Sequence, residues 1–242
     1  DKNKKNLMNE NTIIGIGSNT KMLVNSLGLI LEAKGIIDFD ETIGEILPKS
    51  IEYKDEDVRE ITLRELTLHS SGLPREPDDL KTKKTMFRYM FTGKNIYGHI
   101  DTEYMYNYLS RIKINKQNIE GATYSNIGSG LLAHLFTLKT NKSLNELLEK
   151  YLFQPLHMQN TTLTVPKNNK YLATGYVGDF PPLMKKNRAL KNWKWSDMMI
   201  GTGGAYSTAK DLIKITKAHL SLSNTSLDSI LKKSHETHTY ED

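Results

Sequence analysis

Apolar positions in this chain recur mostly at helical spacing. Between Asn19 and Lys34, Leu23, Leu27, Ile30 and Leu31 fall on one face of a 3.6-residue period, and Met22, Val24 and Leu29 widen that face. A helix apolar on most sides is buried. Gly35 follows it as a left-handed C-cap. Just upstream, Thr12 to Ile16 is short and rich in β-branched residues, which predicts a strand. Ile36 to Pro48 predicts a turn, a short amphipathic segment and a stop. Thr62 to Leu68 predicts a short helix, with Thr62 and Glu65 at capping-box spacing. Gly72 and Pro74 of the stretch HSSGLP then end regular structure. A polar, Tyr-rich region contains a helix from about Thr102 to Arg111. Ser125 to Lys139 and Ser143 to Tyr151 are further helices, and Ser143 with Glu146 repeats the capping-box spacing. Thr161 to Gly201 is loop-rich, with Pro166, Pro181 and Pro182. Ser207 to Leu220 and Ser226 to Lys233 close the chain as helices. The sequence is therefore mostly helical with few strands, and no internal repeat is evident.

Composition narrows the class. The 242 residues suffice for one large domain or two small ones, and 38% hydrophobic with 25% charged residues supports a packed core. The net charge of +5 comes from lysines and arginines scattered among acids. It gives no support for nucleic-acid binding, and serves solubility or favours anionic surfaces. There are no cysteines, which excludes disulfides, thiolate metal sites and cysteine nucleophiles. The seven histidines form no metal motif, and His235 and His238 stand among polar residues. No cofactor or metal is expected. No apolar run approaches the ~20 residues that span a bilayer, so no stable membrane insertion is expected of this segment. The polar start, DKNKKNLMNENT, reads as a processed, trimmed or fragment end instead of a signal peptide.

Three stretches carry candidate chemistry. Ser18 and Lys21 have S-x-x-K spacing, which places them on one face at the start of the buried helix. A serine hydroxyl needs a base and a site for the developing oxyanion. Burial disfavours the ammonium form, so Lys21 can accept the serine proton. Taken alone, the pattern at Ser18 reads as a helix N-cap. The same spacing occurs at Ser110–Lys113 and Ser207–Lys210, but the first ends a Tyr-rich helix and the second, beside Asp211, has the look of a solvated surface. The second stretch is Tyr124-Ser125-Asn126 in a Gly-rich turn. Tyr124 can serve as base or proton relay, and Asn126 can donate to a substrate carbonyl while its oxygen orients a lysine; a turn with an N-cap explains the same residues. The third is GTGGAYSTAKDL, Gly201 to Leu212, a tight turn near a site followed by a helix capped at Ser207 or Thr208. It lacks the spacing of a phosphate-binding loop.

Together, IGSNTK, LTLRELTLHSSGLP, YSN and GTGGAYSTAKDL resemble, in this order, the serine β-lactamase and penicillin-binding-protein superfamily, in its class C-like branch of β-lactamases, esterases and D-amino-acid peptidases. Tyr124 stands about a hundred residues after Ser18, as in that family. The resemblance implies an α/β (α+β) fold in which a helical domain packs on an antiparallel sheet. It implies Ser18 as the acylated nucleophile, Lys21 and Tyr124 sharing the proton work, and Asn126, Gly203, Gly204 and Trp193 contacting substrate. The backbone N–H of Ser18 would be half of the oxyanion hole. The family's third motif, K-T-G or H-x-G, whose strand supplies the other half, is not found in these residues. The expectation is a single incomplete domain over 1–242, an internal segment whose outer strands are largely missing. Residues 1–34 are strand and nucleophile helix, 35–200 a mainly helical region with cleft loops, and 201–242 the Gly-rich turn and following helices. Weak or absent turnover is expected of such a segment.

Specificity is less legible. Arg75 to Gly98 and Leu183 to Gly201 are expected as loops rimming the cleft. Trp193 and Trp195, with Arg188 and Lys191, either face an aryl or acyl group or anchor a long loop. The substrate is small or peptidoglycan-like: an amide, ester or β-lactam, with a peptidase or esterase role favoured over a dedicated β-lactamase. The rivals are a non-catalytic penicillin- or peptidoglycan-binding protein on the same fold and a generic helical interaction domain. The resemblance alone places the protein in the periplasm or otherwise outside the cytoplasm. Oligomeric state is not legible.

Overall fold

The computed structural model describes residues 7–116, 121–166 and 169–236. Helix α1 (Thr20–Ala33) is its axis. Leu23, Leu27, Ile30 and Leu31 are each fully buried, as the periodicity requires, and Gly35 takes the left-handed conformation just past its end. Around it lie the short helices α2 (Ile43–Ile46), α3 (Glu56–Arg59) and α4 (Leu63–Leu68), then α5 (Leu80–Thr92) and α6 (Thr102–Leu109). Helix α7 (Asn126–Thr140) packs on α4, and α8 (Leu144–Leu148) leads into a wider turn over Glu149–Phe153. One-turn α9 (Ile200–Gly203), α10 (Ala209–His219) and α11 (Leu227–Lys232) complete the helices. The capping boxes at Thr62–Glu65 and Ser143–Glu146 are formed, and a third joins Thr42 to Glu45 at the head of α2.

The sheet is small. Strand β1 (Ile14–Gly15) pairs antiparallel with β2 (Tyr206–Ser207), with Ile14 opposite Ser207 and Gly15 opposite Tyr206. Single bridges from Ile13 to Leu172 and from Thr162 to Tyr206 widen it. One apolar core joins α1, α4, α7 and α8, with Phe136 and Phe153 among its largest side chains.

Three expectations are corrected. Residues 80–92 are a helix instead of a cleft loop, begun by Asp79, whose side chain accepts from the Thr82 N–H. Tyr206 and Ser207 are strand, so the following helix begins at Ala209 and Thr208 alone caps it. Asp211 is fully buried instead of solvated. It accepts from the Asn160 N–H at 2.7 Å and the Thr161 hydroxyl at 3.1 Å, and pairs with Lys214 at 2.8 Å. His238 lies outside the described residues, and His235 is exposed.

Candidate active site

The turn before α1 explains the placement of Ser18. Gly17 has φ of +53°, a conformation that glycine adopts freely, and opens a 3₁₀ turn over Gly17–Asn19 that runs straight into α1. In such a turn residues three apart are stacked, so Lys21 reaches back to Ser18. Neither this turn nor α1 has a side-chain cap bond at its start, so Ser18 is not an N-cap. Its Oγ lies 3.5 Å from Lys21 Nζ, and the residue is exposed. Thr20 anchors the turn: its hydroxyl donates to the Gly17 carbonyl at 2.7 Å and accepts from the Ala205 N–H at 3.1 Å.

Lys21 is buried, at 6% exposure, and its ammonium is surrounded by acceptors. Nζ donates to Asn126 Oδ1 and to the Thr202 carbonyl, both at 2.8 Å, as well as facing Ser18. It also stands 4.8 Å from the centre of the Tyr124 ring. Burial lowers the Lys21 pKa, opposed by its hydrogen bond with Tyr124 and the charge of Glu76. Burial pushes the Tyr124 phenol up, but hydrogen bonds with Lys21 and Ser18 and the charges of Lys21 and Arg75 outweigh it, so its pKa lies below the ordinary value. All four central residues, Ser18, Lys21, Tyr124 and Asn126, therefore share one hydrogen-bonded cluster.

Asn126, the first residue of α7, is held from both ends of its amide. Its oxygen accepts from Lys21, while its Nδ2 donates to Glu76 Oε1 at 2.7 Å and to the Tyr97 hydroxyl at 2.9 Å. Tyr97 itself donates to Glu76 Oε1 at 2.7 Å. Both amide hydrogens thus have protein acceptors here. The HSSGLP stretch clamps this segment. His69, in the left-handed conformation, accepts from the Ser125 N–H at 3.2 Å through Nδ1, and the Ser125 hydroxyl donates to the Pro74 carbonyl at 2.8 Å. The charge of Lys21 adds to burial in lowering the His69 pKa, which keeps that nitrogen an acceptor.

Glu76, Tyr97, Arg75 and His69 belong to the cluster and were not among the sequence candidates. The sequence signal for Arg75, Glu76 and Tyr97 is their place in the expected cleft-rim stretch Arg75 to Gly98, and for His69 its place at the head of HSSGLP.

A cleft of ≈ 400 Å³ opens beside the cluster, lined by Ser18, Asn126, Trp193, Trp195, Gly203 and Gly204. A Cβ on Gly203 would come within 3.0 Å of the Trp195 ring, so that close approach needs glycine. Trp195 stacks on Tyr97 with centroids 5.5 Å apart, and Trp193 Nε1 donates to the Gly93 carbonyl at 2.9 Å. The tryptophans therefore anchor their loop and also line the cleft. Among the described residues, no group of three or more His, Asp or Glu is placed to hold a metal.

Residues 1–241 match the family model described as Beta-lactamase. The chain is 26% identical over 211 residues to the D-alanyl-D-alanine-carboxypeptidase/endopeptidase AmpH of Escherichia coli (strain K12), covering 87% of this chain and 49% of that one. It is 25% identical over 215 residues to a β-lactamase of Providencia stuartii, covering 88% and 48%. It thus spans about half the length of these relatives. The fold matches a class C β-lactamase from Rhodobacter sphaeroides with a TM-score of 0.74 at 20% identity, over 95% of this chain and 58% of that one.

Proposed function

This chain belongs to the β-lactamase family, and we propose that it carries the acyl-transfer centre of a serine hydrolase, with Ser18 as nucleophile. The observation that supports this most is Lys21: a buried ammonium facing three acceptors, one of them the exposed Ser18 hydroxyl. In this proposal the resting lysine is protonated, with Asn126 Oδ1, the Thr202 carbonyl and Ser18 Oγ accepting its three N–H bonds. Tyr124, lowered by that charge, is the base that takes the Ser18 proton. Ser18 Oγ then bonds to the substrate carbonyl carbon. The tetrahedral oxyanion receives the Ser18 N–H, and the leaving amine or alcohol departs with the proton held at Tyr124. Water, deprotonated by the same tyrosine, attacks the acyl carbon; the ester bond to Ser18 Oγ breaks, and Oγ takes the proton back from Tyr124. Asn126 fixes the lysine; Gly203, Gly204 and Trp193 shape the cleft wall.

The substrate is an amide, ester or β-lactam. Arg75 and Lys191 line the cleft, with no carboxylate among its described lining residues. That balance suits an acyl donor bearing a carboxylate, a feature that D-Ala-terminated peptides and β-lactams share. The 242 residues contain no K-T-G or H-x-G, so acylation is proposed with slower turnover than in a chain carrying that strand. A single domain acting outside the cytoplasm completes the proposal. No helix among the described residues is long and apolar enough to cross a membrane.

Labelling tests the proposal. The chain is incubated with a fluorescent penicillin and with a fluorophosphonate, and adducts are mapped by peptide mass. An adduct on Ser18 that vanishes in Ser18→Ala is expected, and the faster probe points to the substrate class. Absence of any adduct on Ser18, in this chain and in one extended at both ends, would overturn it in favour of a non-catalytic binding protein.

A further inference from the structure

Helix α5 is the most exposed long helix next to the cleft. Of its 13 residues only Thr82 is buried. Positions 80, 83, 84, 87, 88 and 91 share its outer face, and they are Leu80, Lys83, Lys84, Phe87, Arg88 and Phe91. Leu80, Phe87 and Phe91 are 67%, 61% and 48% exposed. Phe87 and Phe91 meet edge to face at 5.2 Å. The chain has six phenylalanines; Phe39, Phe136 and Phe153 are buried, and the three exposed ones are Phe87, Phe91 and Phe180.

Phe180 belongs to the same surface. The segment around it packs against the C-terminal end of α5: the Leu183 N–H donates to the Met90 carbonyl, and Pro181, Met184 and Leu190 surround Gly93. Phe180 and Leu183 themselves are exposed. Cations outnumber acids there. Residues 80–92 carry Lys81, Lys83, Lys84 and Arg88 and no acid, and Lys185 and Lys186 follow Leu183. Lys83 and Lys186 have acidic partners, Asp78 and Asp179, on the exposed surface.

A solvated helix has no reason to hold phenylalanines in water, and scattered single apolar residues do not cluster like this. Aromatic side chains projecting from a convex face among cations match the headgroup region of an anionic bilayer. There the rings enter the acyl boundary and the cations meet phosphate. Phe87 and Phe91 project as a pair, with Phe180 and Leu183 beside the end of the helix. We propose that the outer face of α5, with Phe180 and Leu183, is a docking surface for anionic phospholipid membranes. It adsorbs the protein peripherally and holds the cleft mouth, which Trp193 ties to Gly93, beside the membrane. This surface is separate from the chemistry of Ser18 and does not depend on it.

Flotation with phosphatidylcholine vesicles, with and without phosphatidylglycerol, tests the proposal. Binding to the anionic vesicles is expected to be at least ~10-fold tighter and to weaken with salt. Phe87→Ser with Phe91→Ser should lower it roughly tenfold per ring removed. Lys84→Glu with Arg88→Glu should abolish the preference for phosphatidylglycerol. All four residues are exposed, and an unchanged thermal transition verifies folding. Equal binding to both vesicle types overturns the proposal. So does anionic binding indifferent to the phenylalanines, which is general attraction of a +5 chain. Self-association or protein capture that needs the phenylalanines without vesicle binding also overturns it.

Discussion

Helices α1 and α5 both carry lysine near their starts, and the two lysines do opposite things. Helix α1 buries nine of its 14 residues, and α5 buries one of 13. On α1, burial forces Lys21 to find Asn126, Thr202 and Ser18, and those contacts bring it against Tyr124. On α5, Lys84 is exposed and has water available as a partner. In the proposed function, chemistry belongs to residues whose charge must be satisfied internally, and the rim is left to recognition. Replacing each lysine by methionine is the strongest way to break that comparison. Lys21→Met should slow labelling of Ser18 by ~10³-fold, because the charge that lowers Tyr124 is lost. Lys84→Met should leave the labelling rate unchanged. Stopped-time labelling with a fluorescent penicillin reads both.

The interior pair is sharpened at Asn126. Asn126→Ala removes the Lys21 partner and strands Glu76 and Tyr97, which each lose a donor. Stability should fall by about 2 kcal/mol in denaturant unfolding, and labelling by ~10²-fold. Glu76→Gln is subtler. Its Oε1 can still accept from Asn126 and Tyr97, so only the charge disappears. Around Lys21 the charged and titratable groups are Tyr124, Glu76, Arg75 and His69. The Glu76 charge raises the Lys21 pKa; removing it lowers that pKa. With protonated Lys21 as the working form, activity is lost as pH rises through its pKa. The basic limb of the labelling-rate profile should therefore move to lower pH. If the acidic limb moves down instead, the neutral lysine amine is the base.

Legibility in the sequence followed the same division. The burial of α1 was readable because nearly every face is apolar, and two capping boxes were readable because their bonds are local. Ser18, Lys21, Tyr124 and Asn126 were nominated by short motifs, and the structure brings them together. Helix α5 was missed because it lacks a core-facing stripe; its apolar residues project into solvent. Strand β2 is two residues long, too short for alternation to show. Asp211 looked solvated because its partners Asn160 and Thr161 lie about 50 residues earlier. Tyr97 escaped for the same reason: its bonds to Glu76 and Asn126 are tertiary.

The rim offers the smallest effect and the finest test. Trp193 touches Tyr89 and Tyr97 edge-on, donates to the Gly93 carbonyl, and lines the cleft. It makes no hydrogen bond to Lys21, Asn126 or Ser18. Trp193→Ala should therefore spare the proton transfer and leave the pH profile of labelling in place. It should cost about 1 kcal/mol of stability, from the lost hydrogen bond and partial burial. Its effect on rate should be a few-fold and should differ between an aryl-bearing penicillin and a small alkyl fluorophosphonate, because only the former extends along the cleft wall. An equal loss with both probes would place Trp193 with the buried cluster, acting through Tyr97 on Asn126, and the boundary between interior chemistry and rim recognition would have to move outward to include it.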